Sequence, residues 1–345
     1  MVHESAQEDH MQARIEELIR YYLEDEHLNY NIDSVPFGLT NLTKIVSIHD
    51  EQYVARIYNR HTKDIPGIKL EAQLTSYLSN SRLSFEVPVF LRTLAGEDFV
   101  QFSDGTLGAM VTFLRGSVPE LSSIRQAAEF GRVVGELSSA LEKCDSGSLG
   151  FIGKSFSDIY GLHPLADTLA VQSFMDEPPF PIAENHLRFY HEMVSTVEKS
   201  IPLLEELPQQ FVHHDVLIFN LLAQGNDIRG VLDFDFASRD ASFMEFAICL
   251  NHVLQMSNGS AAMLEAFTKG YADFRKGTAQ EIGHLQLLTQ IYHVAVLHIY
   301  VGQHYSGVDI EQNFNYILNQ FRTRNDWLNE HGSVVRQQLE YFLLY

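Results

Sequence analysis

Two cysteines in 345 residues, Cys144 and Cys249, are too few for a disulfide framework, so this chain must be held together by its core. Long apolar runs are missing too. The longest strongly apolar stretch, near Ile291 to Val301, is broken by His293 and His298 and is too short to span a bilayer. The amino terminus, Met1-Val2-His3-Glu4-Ser5, is polar and acidic and lacks the basic-then-apolar order of a signal peptide, which leads us to expect a cytoplasmic protein. Metal-cage spacings are absent: there is no His-Glu-x-x-His and no Cys-x-x-Cys, and the 16 histidines are scattered, so zinc is not supported. Basic residues are scarce, with 24 Lys and Arg against 45 Asp and Glu and a formal net charge of −21. Such a surface repels nucleic acid and anionic lipid, attracts cationic compounds, and favours solubility.

What is present is an ordinary globular composition, 45% hydrophobic, in a chain long enough for two lobes or one large core. Met11, Ile15, Leu18, Ile19 and Tyr22 recur at helical spacing and predict an opening amphipathic helix. Strand patterns follow at Tyr30 to Phe37, Leu42 to Ile48 and Tyr53 to Tyr58, with His49-Asp50-Glu51-Gln52 as the turn between the last two. A helical pattern runs through Leu70, Leu74, Tyr77 and Leu78, then strands are expected at Pro88 to Leu94, Asp98 to Phe102 and Leu107 to Phe113. After Leu114-Arg115-Gly116 helical patterns dominate: Ile124 to Leu141, Ala183 to Leu204, Phe243 to Leu254, Met263 to Phe274, Glu281 to Tyr300 and Asn313 to Leu328. The fold class expected is α+β and two-lobed, with a strand-rich amino-terminal lobe over residues 1–115 and a larger helical lobe over 116–345. A ligand would sit in the cleft between them.

One segment interrupts the helices with chemistry. His213-His214-Asp215-Val216-Leu217-Ile218-Phe219-Asn220 spaces a carboxylate and a carboxamide as His-x-Asp-x4-Asn, and Asp233-Phe234-Asp235 returns 13 residues after Asn220. Phosphoryl transfer needs a group to accept the proton of an attacking hydroxyl and oxygen ligands for the magnesium that neutralises the phosphates. Asp215 and His213 are the candidate catalytic residues, with Asp215 as the base, and Asn220 and Asp233 are the candidate metal ligands. Asp and Asn also favour turns, but the joint spacing directly after the apolar run Ile228, Val231, Leu232 speaks against a purely structural loop.

These loops resemble the catalytic and metal-binding loops of the aminoglycoside phosphotransferase and choline kinase superfamily, which has a protein-kinase-like fold. Val231-Leu232-Asp233-Phe234-Asp235-Phe236-Ala237 and Phe246-Ala247-Ile248-Cys249-Leu250-Asn251 resemble in particular the bacterial homoserine kinases of the second type. The resemblance implies ATP-dependent, magnesium-assisted phosphorylation of a hydroxyl on a small molecule. It places Arg56, in Tyr53-Val54-Ala55-Arg56-Ile57-Tyr58, where the family commonly has a phosphate-holding lysine, and Glu71 as the helix carboxylate that orients it. An ordinary solvated ion pair is the alternative for these two. Gly38-Leu39-Thr40-Asn41 stands where a phosphate-covering loop would lie, with Thr40 as a nucleotide contact, although one glycine does not make Gly-x-Gly-x-x-Gly. Leu114 to Gly116 falls at the implied adenine-binding hinge. His214 replaces the usual glycine and is a candidate substrate contact, as is Asp235, for which a second metal ligand or a structural role remains open.

Four functional readings compete. A kinase for a homoserine-like amino alcohol comes first, and an aminoglycoside or other antibiotic kinase comes second, helped by the acidic balance. A non-catalytic nucleotide-binding module is disfavoured by the retention of Asp215, Asn220 and Asp233. A protein kinase ranks low because no Asp-Phe-Gly to Ala-Pro-Glu segment is present.

Overall fold

The computed structural model describes residues 12–24, 29–35, 41–145, 147 and 150–344. Helix α1 covers residues 12–19. An antiparallel five-stranded sheet follows, in the order β1-β2-β3-β5-β4, from β1 (Tyr30–Ser34), β2 (Leu42–Ile48), β3 (Glu51–Ile57), β4 (Val100–Gln101) and β5 (Leu107–Thr112). Period-two alternation decides which way β3 points its side chains. Ala55 and Ile57 pack with Ile15, Leu18 and Ile19 of α1. Val54 and Tyr58 face the other way, onto Ile68 and Ala72 of helix α2 (Ile65–Ser79), and Arg56 lies between them in sequence on that same face.

The turn into α2 is built by asparagines. Asn59 accepts from His61 N through Oδ1 and from Lys63 N through its carbonyl, while its own N–H donates to Asn41 Oδ1. Asp64 then caps the helix by accepting from Gly67 N at 2.8 Å, with Pro66 in the first turn where no N–H is needed.

Beyond residue 116 the chain is mainly helical: α3 (Ile124–Glu142), α4 (Thr168–Asp176), α5 (Glu184–Leu204), α6 (Met244–Met256), α7 (Ala261–Ala272), α8 (Ala279–Gly283), α9 (Leu285–Tyr305) and α10 (Glu311–Leu343). Between α5 and α6 lie the short strands β6 (Gln209–Val212) and β9 (Ser238–Ala241), which pair antiparallel, and the hairpin of β7 (Leu221–Gln224) and β8 (Asp227–Val231). The hairpin is stitched to the sheet side of the molecule. Glu86 N donates to Arg229 O and Val231 N to Glu86 O, both at 2.9 Å, and Ser117 and Ala223 exchange backbone bonds at 3.1 and 2.8 Å. Both cysteines are free thiols, and among the described residues no helix is long and apolar enough to cross a membrane.

Several expectations shift. Pro88 to Leu94 is extended but not a strand: Phe90 makes one isolated bridge to Val111, and Pro88 has no N–H to offer a ladder. The turn after β2 is only His49-Asp50, because His49 adopts φ 53° and closes it tightly. The helix expected from Glu281 to Tyr300 is two helices that break at His284, and α10 runs on to Leu343, burying Val335 and Leu339. Helix α4 carries too little periodicity in 9 residues to be seen in the sequence.

Helices α3 and α7 meet backbone to backbone. A Cβ on Gly131 would lie 2.0 Å from Phe267 O, and one on Gly270 2.0 Å from Ala128 O. No rotamer change relieves a clash with a carbonyl, so Gly131→Ala should destabilise the protein by about 2–3 kcal/mol, despite the ~1 kcal/mol gain in helix propensity. Chemical denaturation checks this, and a stabilised variant would show that the two helices separate without cost.

Candidate active site

The loop 213–220 is laid against the amino-terminal half of α6, whose side chains read its backbone. Glu245 Oε2 accepts from His213 N at 2.6 Å and from His214 N at 3.2 Å. One turn on, Cys249 Sγ donates to Val216 O at 3.2 Å, and His252 Nε2 accepts from Ile218 N at 3.4 Å. Burial pushes His252 down to about 4, so the ring is neutral and able to accept.

Asp215 emerges from this support with Asn220 beside it. Asn220 Nδ2 donates to Asp215 Oδ2 at 2.7 Å and to Asp215 O at 2.9 Å, which turns the carboxamide oxygen of Asn220 outward. Burial, and then the nearby Asp233 carboxylate, raise Asp215 well above the usual carboxylate range. A carboxyl whose proton affinity is raised by a neighbouring carboxylate marks a place that a cation would stabilise. Asp233 follows β8 at φ 65°, a left-handed conformation that Asp tolerates better than most residues, and this turns it back toward the loop. Among the described residues no three His, Cys, Asp or Glu side chains converge into a metal cage. Magnesium does not ask for one: one or two carboxylates with phosphate oxygens and water are its usual shell, and Asn220 with Asp233 supply hard oxygens of that kind.

Arg56 and Glu71 are no solvated surface pair. Arg56 Nη1 meets Glu71 Oε1 at 2.9 Å, with side-chain exposures of 10% and 3%. The other guanidinium nitrogen, Nη2, reaches Asp233 Oδ1 at 2.8 Å and Asp235 Oδ1 at 3.5 Å. A second buried cation, which carries no motif in the sequence, completes the group: Lys63 Nζ lies 2.8 Å from Glu71 Oε2 and 3.2 Å from Asp235 Oδ1, and donates to Asp235 O at 3.2 Å. Asn41 Nδ2 also donates to Asp235 Oδ2. Burial pushes Glu71 up to about 7 even against the pull of Lys63 and Arg56. Burial works on Asp235 in the same sense, yet Lys63 and Arg56 outweigh it and hold that carboxyl well below its ordinary value.

Two expectations give way here. His213 does not face a substrate: it is fully buried, Nε2 donates to Leu232 O at 3.0 Å, and Nδ1 accepts from Asp215 N at 3.2 Å. Burial lowers it to about 4, which suits that neutral tautomer, so the ring ties the loop to the residue before Asp233. His214 is sealed behind the loop, its ring stacked 4.2 Å from Phe156, with Nδ1 at 3.0 Å from Phe236 O and Nε2 at 3.0 Å from Asp240 Oδ2. It touches no cleft, and its φ of 70° explains why glycine suits the position. For Asp235, whose role the sequence leaves open, the carboxylate is bound to Lys63, Arg56 and Asn41. Thr40, with Gly38 and Leu39, lies outside the described residues.

Beside Lys63, a cavity of about 250 Å³ opens between the β3–α2 turn, residues 151–164 and the turn 235–237. Its lining includes Arg60, His61, Lys63 and Lys154, with Asp235 and Phe236 on the far wall.

Comparison with known proteins shows the family. The model of the phosphotransferase enzyme family matches residues 32–281, which takes in the sheet, the loop 213–220 and the turn at Asp233. The chain belongs to that family. It is 27% identical over 268 residues to a homoserine kinase of Beijerinckia indica subsp. indica, covering 73% of this chain and 74% of that one. A homoserine kinase of Methylobacillus flagellatus is 22% identical over 254 residues, covering 73% of each. Among solved structures, an amicoumacin kinase in complex with AMP-PNP and Ca²⁺ superposes with a TM-score of 0.65 over 93% of both chains at 14% identity. A microcompartment-associated aminopropanol kinase gives 0.60 at 13% identity, over 94% of this chain and 98% of the other. The fold of this phosphotransferase is therefore the protein-kinase-like one, with a small antiparallel sheet and a larger helical part.

His214 supplies a test of the loop's support. His214→Gly removes a backbone strain of about 1–2 kcal/mol but strands the Asp240 carboxylate, which His214 holds below its ordinary range against burial. Breaking a buried pair costs about 3–5 kcal/mol, so the phosphotransferase should lose roughly 2 kcal/mol overall. Equilibrium denaturation measures this, and an unchanged or more stable variant would mean that the strain dominates.

Proposed function

We propose that this small-molecule kinase transfers the γ-phosphoryl group of ATP to the hydroxyl of a homoserine-like amino alcohol. The observation that carries the reading is the convergence of Asp215, Asn220 and Asp233, with Arg56 reaching Asp233 from the sheet. In the reaction, Asp215 takes the proton of the acceptor hydroxyl through the carboxylate oxygen that Asn220 leaves free. Its raised proton affinity suits it to receive that proton. Asn220 and Asp233 would hold magnesium, which supplies neutralisation of the phosphate oxygens when bound. Arg56 would exchange its contact with Asp233 for the phosphates, and its planar fork can hold two oxygens at once.

The cavity beside the cluster supports the acceptor class. In a chain of net charge −21, Arg60 and Lys154 line one space next to the turn that carries Asp233, with Asp64 on the same lining. With Arg60, Lys63 and Lys154 against Asp64 and Asp235, the lining keeps an excess of positive charge, which favours a compound with a carboxylate, such as homoserine, over a polycationic aminoglycoside. The overall acidic balance favours the aminoglycoside, but local charge at the site outweighs distant charge, which salt screens within about 8–10 Å.

Two outcomes test this. Asp215→Asn should lower kcat by on the order of 10² or more while nucleotide affinity stays near wild type, because only the proton acceptor is removed. Retained turnover would show that another group is the base. With homoserine as acceptor, replacing the carboxylate by the neutral amide should lower kcat/KM by roughly tenfold or more. Equal rates for acid and amide, or a clear preference for aminoglycosides in the same ATP-consumption assay, would refute the acceptor assignment.

A further inference from the structure

The cluster contains one more cation than phosphate binding requires. If Arg56 were the sole partner of Glu71, its turning toward a nucleotide would leave a carboxylate of 3% exposure unpaired between sheet and helix. Lys63 removes that conflict. It approaches Glu71 through the oxygen that Arg56 does not use, Oε2 against Oε1, at 2.8 Å. The same ammonium reaches both the carboxylate and the carbonyl of Asp235, so one buried point charge touches α2 and the turn after β8 together. Its position is fixed by the turn 59–63, which Asn59 folds through its side chain and carbonyl, and Tyr58 lies under it with the ring centroid 5.5 Å from Nζ. Arg56 stands over the same ring at 5.2 Å.

We propose that Lys63 is a positioning residue that holds α2 against the Asp233–Asp235 turn whether or not nucleotide is bound, leaving Arg56 free to serve the phosphates. This division of labour rests on the kinase reading above, while the holding function itself does not. Arg56 is suited to the mobile part because Nη2 already extends past Glu71 to Asp233, whose side chain is 38% exposed. Lys63 is suited to the fixed part because its side chain is 4% exposed and each of its contacts is an internal oxygen. A buried ion pair is weak evidence for stability, and its better-attested use is to fix one arrangement among several.

Hydrogen exchange of the nucleotide-free protein separates the two cations. Lys63→Met should raise exchange of the amides of 65–79 and 233–237 by tenfold or more, and Lys63→Arg should restore part of the protection. Arg56→Met should leave α2 protected, since Lys63 still pairs with Glu71, but weaken binding of the ATP analogue AMP-PNP with magnesium by tenfold or more in calorimetry. Unchanged exchange in Lys63→Met, or equal loss of protection in Arg56→Met, would overturn the proposal. Unweakened AMP-PNP binding in Arg56→Met, with the exchange pattern as expected, would overturn only the phosphate role of Arg56. Should Lys63→Met fail to fold, Lys63→Arg carries the test: protection of 65–79 and 233–237 kept at least in part supports the held charge, and exchange there as fast as in unfolded chain refutes it.

Discussion

Arg56, Lys63, Glu71, Asp233 and Asp235 are five ionisable groups placed where sheet and helical region meet, and their charges must satisfy one another before the site can take shape. Leaving one such group unpaired costs several kcal/mol, so each carboxylate fixes where the cations go and each cation fixes the carboxylates. The consequence is geometric. Strand β3, helix α2 and the turn after β8 are far apart in sequence, yet their relative placement is set by contacts of 2.8–3.5 Å. Asn41 extends the same web to the start of β2 by bonding Asp235 with one end of its amide and Asn59 with the other.

The loop 213–220 depends on a different kind of support. Helix α6 presents Glu245, Cys249 and His252 along one face, and these meet the backbone of 213–218 rather than its side chains. Backbone groups are present whatever the residue, so the loop's path is held while its side chains remain available for chemistry. His213 and His214 then link the loop to residues 232 and 236, on either side of Asp233 and Asp235. Both histidines serve to hold Asp215 in register with the turn that carries Asp233. The site is therefore positioned from behind by α6 and from the side by the charged cluster.

Much of this was legible in the sequence, for a physical reason. Asp215, Asn220 and Asp233 sit on one local loop and one hairpin, so their spacing carries their proximity. Arg56 and Glu71 lie 15 residues apart across a strand-to-helix turn, where period-two alternation and helical phase together aim them at each other. Lys63 was not legible: its contact with Asp235 spans 172 residues and no local pattern encodes it. His214 was misread because adjacency to Asp215 says nothing about which side of the loop a ring takes, and a φ of 70° turned it inward onto Asp240. For Asp235 the sequence leaves substrate contact, metal ligand and structural role open, because nothing local shows that Arg56 and Lys63 both reach it. The extra turns of α10 were hidden by the polar run Asn329 to Ser333, where exposed residues interrupt the apolar stripe that resumes at Val335.

In the proposed cycle the cluster holds a reserve of charge, with Arg56 resting on Asp233 until phosphate replaces it. A crystal structure of the protein with magnesium and AMP-PNP tests it most directly. In that complex the 2.8 Å contact between Arg56 and Asp233 should open, Arg56 should turn to phosphate oxygens and Asp233 to the cation, and the contact of Lys63 with Glu71 should stay as it is. A complex in which Arg56 still pairs with Asp233 while nucleotide and metal are bound would contradict it.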